Sequence, residues 1–285
     1  MKTALVLEGG GMRGAYTAGC LAWLIDNDIE FDSAYGISTG AVHLCSYLCK
    51  NVDYLYDLST NHIADKELVG LRPLLREHCY VGYDYLFEHI LPDVKKYDIS
   101  KAKASSCDAK FGVYDMEKGT FFIKVKDIDE KMLLLKAACT LPVIGKIVYY
   151  EGRGYLDGGI TKMIPIEEAL ADENEEFLVI TTKPKGYVRK PATSFVKGLM
   201  RSMYKKYPNV EKDYAVRHLN YQKQIDIIND LVAKDKAIYM YPSKEIPVKR
   251  LTGDKPNLRI LYQLGYDDME SRREEIIKRF KKKDA

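Results

Sequence analysis

Short apolar runs that end in glycine and pass into longer apolar stripes dominate the first fifty residues. "TALVLEGGG" is a strand pattern closed by glycines, and "AYTAGCLAWLID" continues as a helix with an apolar face. "FDSAYGIS" repeats the strand and "GAVHLCSYLC" the buried helix. Two strand–glycine–helix units in succession predict an α/β fold around a parallel sheet. Residues 52 to 105, rich in tyrosine and leucine, read as mainly helical and carry no glycine-rich site. "AKFGVYDMEKGTFFIKV" alternates on both sides of a Glu-Lys-Gly turn, which is a β-hairpin pattern. "DEKMLLLKAACTLP" predicts a helix stopped by Pro142, and "FLVITT" and "AIYMYP" predict two further strands. No repeat or low-complexity linker interrupts the pattern. It describes a main unit over residues 1–185 and a mainly helical C-terminal extension over 186–285, packed on the same domain.

Composition narrows the class. A chain of 285 residues can bury one substantial core with a smaller appended region. A net charge of +3 is too small to argue for nucleic acid, so none is expected as a partner. The start "MKTALVLEGG" is too short an apolar run for a signal peptide, and no stretch reaches the roughly eighteen apolar residues of a membrane span. Six scattered cysteines without a C-x-x-C pair read as reduced thiols, so a cytoplasmic protein is expected. In "HLCSYLC", Cys45 and Cys49 share a helical face but His43 does not, which favours buried core over a metal site. No metal or cofactor is expected.

Candidate chemistry begins with "GGGMRG", residues 9 to 14, between the first strand and the first helix. Gly9, Gly11 and Gly14 satisfy G-x-G-x-x-G, but a dinucleotide fold needs an acidic residue at the end of the second strand. Asp32 stands at its start, and its end is Ser38. A phosphate P-loop fails because Ala15 occupies the lysine position. The loop has another use. Backbone N–H groups at a helix start are orphan donors in a favourable dipole, and aimed at a carbonyl under attack they form an oxyanion hole. In a parallel sheet with neighbouring first and second strands, the N–H groups of Gly10, Gly11 and Met12 come near Ser38.

Ser38 itself lies in "GISTG", the G-x-S-x-G of a nucleophile elbow, with Gly36 and Gly40 on either side. A serine hydroxyl needs a base within hydrogen-bond reach. His43 lies five residues on, roughly 140° around the following helix, and cannot easily reach back. His218 has the Ser…Asp…His chain order of α/β-hydrolases, although "DYAVRHLNYQ" around it reads as an ordinary amphipathic helix. The carboxylate candidate is Asp157 in "YLDGGI". From these residues alone the base stays open between Asp157 and His218.

Taken together, "GGGMRG", "GISTG" and "DGG" at 157–159 stand in the order and rough spacing of the patatin-like phospholipases, which the chain resembles over about residues 3 to 185. "KAACTLPVIGKIVYYEGRGYLDGG" extends the likeness. The resemblance implies a three-layer α/β/α fold with a mainly parallel central sheet and a Ser–Asp dyad without histidine. Ser38 is then the nucleophile, Asp157 the base, Gly10, Gly11 and Met12 the oxyanion donors, and Arg13 a support of the loop. The implied substrate is a phospholipid, lysophospholipid or related acyl ester, cleaved through an acyl-enzyme. A nucleotide-binding protein and a catalytically silent binding protein on the same fold are the rival classes.

One further segment bears on where such a substrate is met. In "SFVKGLMRSMYKKY", residues 194–207, apolar positions fill one half of a helix while Lys197, Arg201 and Lys205 line the other. Such a helix lies in an anionic membrane interface or packs its apolar face on the core.

Overall fold

A computed structural model describes residues 1–94 and 97–282. β1 (Thr3–Leu7) divides its side chains by the two-residue period of a strand: Leu5 and Leu7 enter one core, Ala4 and Val6 another. A strand apolar on both faces is one covered by helices on both faces, as in a parallel sheet. α1 (Gly14–Asp26), β2 (Ser33–Ile37) and α2 (Thr39–Leu48) complete the two strand–glycine–helix units.

The next stretch holds α3 (Val52–Asp57), α4 (Leu71–Glu77), α5 (Tyr83–Tyr85) and α6 (Ile99–Lys103). Two π-helical segments, Leu58–His62 and Leu86–Val94, lie among them. β3 (Asp108–Asp115) and β4 (Gly119–Lys124) form the hairpin, and α7 (Leu133–Cys139) ends just before Pro142. β5 (Val148–Tyr150), β6 (Arg153–Asp157), α8 (Ile166–Ala171) and β7 (Glu176–Ile180) follow. The C-terminal part comprises α9 (Ser194–Met203), α10 (Pro208–Ala215), α11 (Arg217–Ala233), β8 (Ala237–Met240), α12 (Lys255–Ser271) and α13 (Arg273–Phe280).

One eight-stranded sheet runs in the order β5-β6-β3-β2-β1-β7-β8, with β4 also paired to β3. β3, β2, β1, β7 and β8 are parallel, whereas β4, β5 and β6 run against their neighbours. α1, α2 and α12 cover the face bearing Leu5 and Leu7, and α8 and α11 cover the other. The architecture is therefore three-layer α/β/α with a mainly parallel sheet. A third cluster joins Tyr114 and Leu156 to Met200 of α9 and Val210 of α10.

The C-terminal part is built into this frame. β8 extends the sheet beyond β7, and α12 lies against α1 at glycine distance. A Cβ on Gly19 would stand 1.9 Å from the Tyr262 carbonyl oxygen, and one on Gly265 would stand 2.1 Å from that of Tyr16. The Tyr16 hydroxyl and Trp23 indole N–H donate across the same contact to Asp268 and Glu270, at 3.0 and 2.6 Å.

Two segments differ in detail from their patterns. The helix expected over 194–207 stops at Met203, because Tyr204 turns inward to accept the Val143 N–H at 2.9 Å and Pro208 opens α10. In "HLCSYLC", His43 and Cys45 are buried, while Cys49 is half-buried with its thiol toward the Asp98 carbonyl at 3.5 Å. Among the described residues no helix is long and apolar enough to cross a membrane.

Candidate active site

Ser38 occupies the turn between β2 and α2 with φ 55° and ψ −127°, a strained conformation for a residue with a side chain. Its two glycines are required by the turn. A Cβ on Gly36 would lie 2.6 Å from the Gly40 carbonyl oxygen, and one on Gly40 would lie 3.0 Å from the Leu7 and Glu8 carbonyl oxygens. The Ser38 carbonyl accepts the Ala41 N–H at 2.9 Å, which starts α2 immediately behind the serine. This is the geometry of a nucleophile elbow.

The sheet register brings Asp157 to the same point. Along one edge of β3, β2 pairs residue by residue until Ile37 meets Gly112. The opposite edge is occupied by β4 from Lys110 to Asp115. β6 must therefore take up the first edge where β2 leaves it, and there Val113 pairs with Asp157. The ends of β2 and β6 thus meet head to head, and Ser38 faces Asp157. A Cβ on Gly158 would strike the Gly112 backbone at 2.7 Å, so the small residues of "DGG" let the two ends close.

Asp157 is buried, and one of its oxygens accepts the Gly159 N–H at 2.7 Å. Burial raises its pKa above the ordinary carboxylate range. Ser38, the Gly159 N–H, Arg217 and Arg250 each pull the other way, so the Ser38 hydroxyl is close enough to stabilise the charged form.

The glycine loop passes in contact with the serine, since a Cβ on Gly9 would sit 3.0 Å from the Ser38 Cβ. Its donors are unequal. Gly9 donates to the Met163 carbonyl at 3.0 Å and Met12 to the Arg250 carbonyl at 2.9 Å. The N–H groups of Gly10 and Gly11 take no hydrogen-bond partner among the described residues. Met12, expected among the oxyanion donors, has thus committed its N–H, while its side chain lines the pocket below. Gly11 has φ 59°, and a Cβ there would lie 2.3 Å from the Arg250 carbonyl oxygen. Arg13, expected to support the loop, makes no hydrogen bond to it and turns toward Arg250, Arg189 and Tyr187.

Beneath Ser38 opens a pocket with about 700 Å³ of empty space, part of it open to solvent. Its walls are apolar, with Val42, Leu58, Ile63, Leu68, Val81 and Leu86 among them. Most of these come from the 52–105 stretch, whose wide π-helical turns shape the cavity. His43 also lines it, and burial lowers its pKa to about 4, so it is neutral. His218 sits in the first turn of α11 with Nδ1 at 3.1 Å from the Ala215 carbonyl oxygen.

Arg217 and Arg250 act on Asp157, and Arg189 and Arg13 stand within electrostatic range of them; of the four, only Arg13 was marked by a local pattern. Arg217 stands beside His218 in the segment singled out for its histidine, and Arg189 and Arg250 lie in loops. Burial and the neighbouring Arg189 pull the Arg217 pKa down. Nearby, Glu8 ends β1 fully buried. It closes an ion pair with Lys183 and accepts from the Thr182 N–H at 2.6 Å and hydroxyl at 3.0 Å, pinning the β1 end to the β7 end.

Site and sheet together define a class: an α/β protein whose chemistry gathers where parallel strands end and helices begin. The family follows from the match of residues 5–170, more than half of the chain, to the patatin-like phospholipases, and the protein belongs to that family of lipid acyl hydrolases. Residues 207–281 match a second family, described as a domain of unknown function (DUF6363). The uncharacterized protein YjjU of Escherichia coli K12 is 25% identical over 272 residues, covering 93% of this chain and 75% of its own length. Among solved structures, VipD from Legionella pneumophila shares the fold with a TM-score of 0.52 at 12% identity. That match covers 95% of this chain and 66% of VipD.

Proposed function

We propose that the protein hydrolyses carboxylic esters of phospholipids, lysophospholipids or related acyl lipids, with Ser38 as nucleophile and Asp157 as base. The observation that carries this reading is the strained Ser38 held against a buried carboxylate at the mouth of an apolar pocket. Asp157 takes the Ser38 proton as Oγ bonds to the ester carbonyl carbon. The carbonyl electron pair moves onto oxygen, where the free N–H groups of Gly10 and Gly11 receive it. Collapse expels the alcohol oxygen, which leaves with the proton from Asp157. Water then attacks the acyl-serine, gives its proton to Asp157, and Ser38 departs with that proton. The acyl chain occupies the apolar pocket throughout. Burial makes Asp157 a stronger base than an exposed carboxylate, which suits this role.

Ser38→Ala should lower hydrolysis of acyl esters by at least about 10⁴-fold and abolish fluorophosphonate labelling with the fold intact. Substantial activity in a clean preparation of that variant would remove Ser38 from the mechanism.

Access from an anionic membrane surface belongs to the same proposal. α9 buries Met200, but Phe195 is 78% exposed and Met203 also faces outward, beside Arg201 and the following Lys205. Replacing Lys197, Arg201 and Lys205 by glutamine should weaken sedimentation with phosphatidylglycerol vesicles at low salt. Unchanged sedimentation would leave α9 as packing alone.

A further inference from the structure

Arg217 is only 5% exposed, yet its Nε and Nη1 have no hydrogen-bond partner among the described residues. Leaving two nitrogens of a guanidinium withdrawn from water and without partners is costly, and proteins rarely do so. Arg217 hydrogen-bonds the Tyr214 side chain and leans on its ring at 5.1 Å, and its Nη2 reaches the "DGG" turn, 3.3 Å from where a Cβ of Gly159 would be. Arg13 likewise has a buried Nε without a partner. Arg250 lines the Ser38 pocket, and the Arg189 guanidinium stands 6.0 Å from the Tyr221 ring centre.

Arg189 and Arg250 link these four groups by repulsion. Arg13 feels Arg250 and Arg189, Arg189 feels Arg250, and Arg217 feels both Arg189 and Arg250. Tyrosines, not carboxylates, are the opposing groups Arg13 and Arg189 feel most. Glu8 is consumed by Lys183, which leaves Asp157 as the carboxylate facing Arg217. Burial pushes the Tyr214 phenol up, but Arg217, Arg250 and Arg189 more than offset it and hold it below its ordinary range. The cluster is short of negative charge.

We propose that Arg13, Arg189, Arg217 and Arg250 bind the phosphate group of the substrate, so that the enzyme prefers acyl esters carrying a phosphate close to the scissile bond. The proposal rests on the hydrolase reading above. Guanidinium groups suit phosphate because their planar forks meet its oxygens in pairs, and several can converge on one tetrahedral anion. Arg250 borders the acyl pocket and Arg217 borders the Asp157 turn, so the cationic site adjoins the reacting atoms. In a 1-acylglycerol-3-phosphate about six bonds separate the ester carbonyl carbon from phosphorus, a reach that matches adjoining sites. An acyl chain in the pocket then delivers the phosphate to the arginines. The bound anion also offsets the pull of Arg217 on Asp157 and strengthens the base.

The test compares kcat/KM for a 1-acylglycerol-3-phosphate and for the monoacylglycerol of the same chain length, in the parent, Arg217→Gln and Arg189→Gln proteins. The parent should prefer the phosphorylated ester. Each variant should cut that preference by about ten-fold or more, the size of one charge-assisted hydrogen bond, mainly through KM. Arg189 is half-buried on a loop, so its variant keeps the test alive if Arg217→Gln does not fold. A parent without preference, or a ratio unchanged in the folded variants, would overturn the proposal. Inorganic phosphate that raises the melting temperature of the Ser38→Ala protein, with no substrate preference in the parent, would assign the cluster to free phosphate and overturn the head-group reading. If no ester is turned over and Ser38 takes no label, the hydrolase reading fails by itself. Calorimetric binding of the acylglycerol phosphate, weakened in Arg189→Gln, would then still support the anion site, and absence of binding would overturn it.

Discussion

The two matched regions approach the same serine with opposite materials. Residues 5–170 bring Ser38, Asp157, the free N–H groups of Gly10 and Gly11 and nearly all of the apolar pocket. Residues 207–281 bring Arg217 and Arg250, both cationic and both turned toward Asp157. The C-terminal region also holds the first one in shape, because the Arg250 carbonyl fixes the Met12 N–H and α12 is locked onto α1. Two of the four arginines, Arg217 and Arg250, thus come from the C-terminal region while Arg13 lies in the first, and the two regions meet at the glycine loop.

The division can be broken at its chemical end first. Asp157→Asn removes the proposed base at nearly constant volume and should reduce kcat by about 10⁴-fold, the loss typical of an equivalent carboxylate. His218→Ala should keep most of the activity, since its imidazole is turned to the Ala215 carbonyl. Equal losses in the two variants would move the base to the C-terminal region and erase the contrast.

Gly11→Ala strikes the seam between the regions. The new methyl group meets the Arg250 carbonyl in a backbone conformation that disfavours side chains, so the donors of the loop shift. Loss of one such donor costs about 10²–10³ in rate, and kcat should fall accordingly while KM changes less. An unchanged kcat would detach the loop from the reaction.

Gly265→Leu tests how firmly the C-terminal region is docked. Overpacking ordinarily costs about 1–3 kcal/mol, and here the obstacle is a backbone carbonyl, so about 3 kcal/mol is expected. Denaturant unfolding would measure it. A loss below about 0.5 kcal/mol, the scale of an ordinary surface change, would mean that α1 and α12 separate freely.

The smallest effect is electrostatic. If Asp157 is the base as proposed, only its ionised form accepts the serine proton, so activity should fall as pH drops through its pKa, which burial raises. The acid limb of kcat/KM should therefore lie above the ordinary aspartate value of about 3.9. Arg217 favours the ionised form, and Arg217→Gln should move that limb to still higher pH on a neutral ester. A limb that stays in place would show that the C-terminal charge does not reach the base.

Features set by neighbours along the chain were legible without the fold. Strand period, glycine turns and helical stripes within a dozen residues sufficed for the parallel α/β core, the β3–β4 hairpin, the elbow at Ser38 and the helical C-terminal part. Tertiary structure decided what depends on register and on distant partners. Whether Asp157 or His218 stands beside Ser38 turns on β6 replacing β2 at Val113, a pairing that no segment encodes alone. The Met12 N–H looked free in the loop and is spent on a carbonyl 238 positions later in the chain, by the numbers of the two residues. Arg13, Arg189, Arg217 and Arg250 are ordinary charges until the fold withdraws them from water and brings them within electrostatic range of one another. Their repulsion and unmet hydrogen bonds exist only there, because desolvation and charge density are properties of the assembled site.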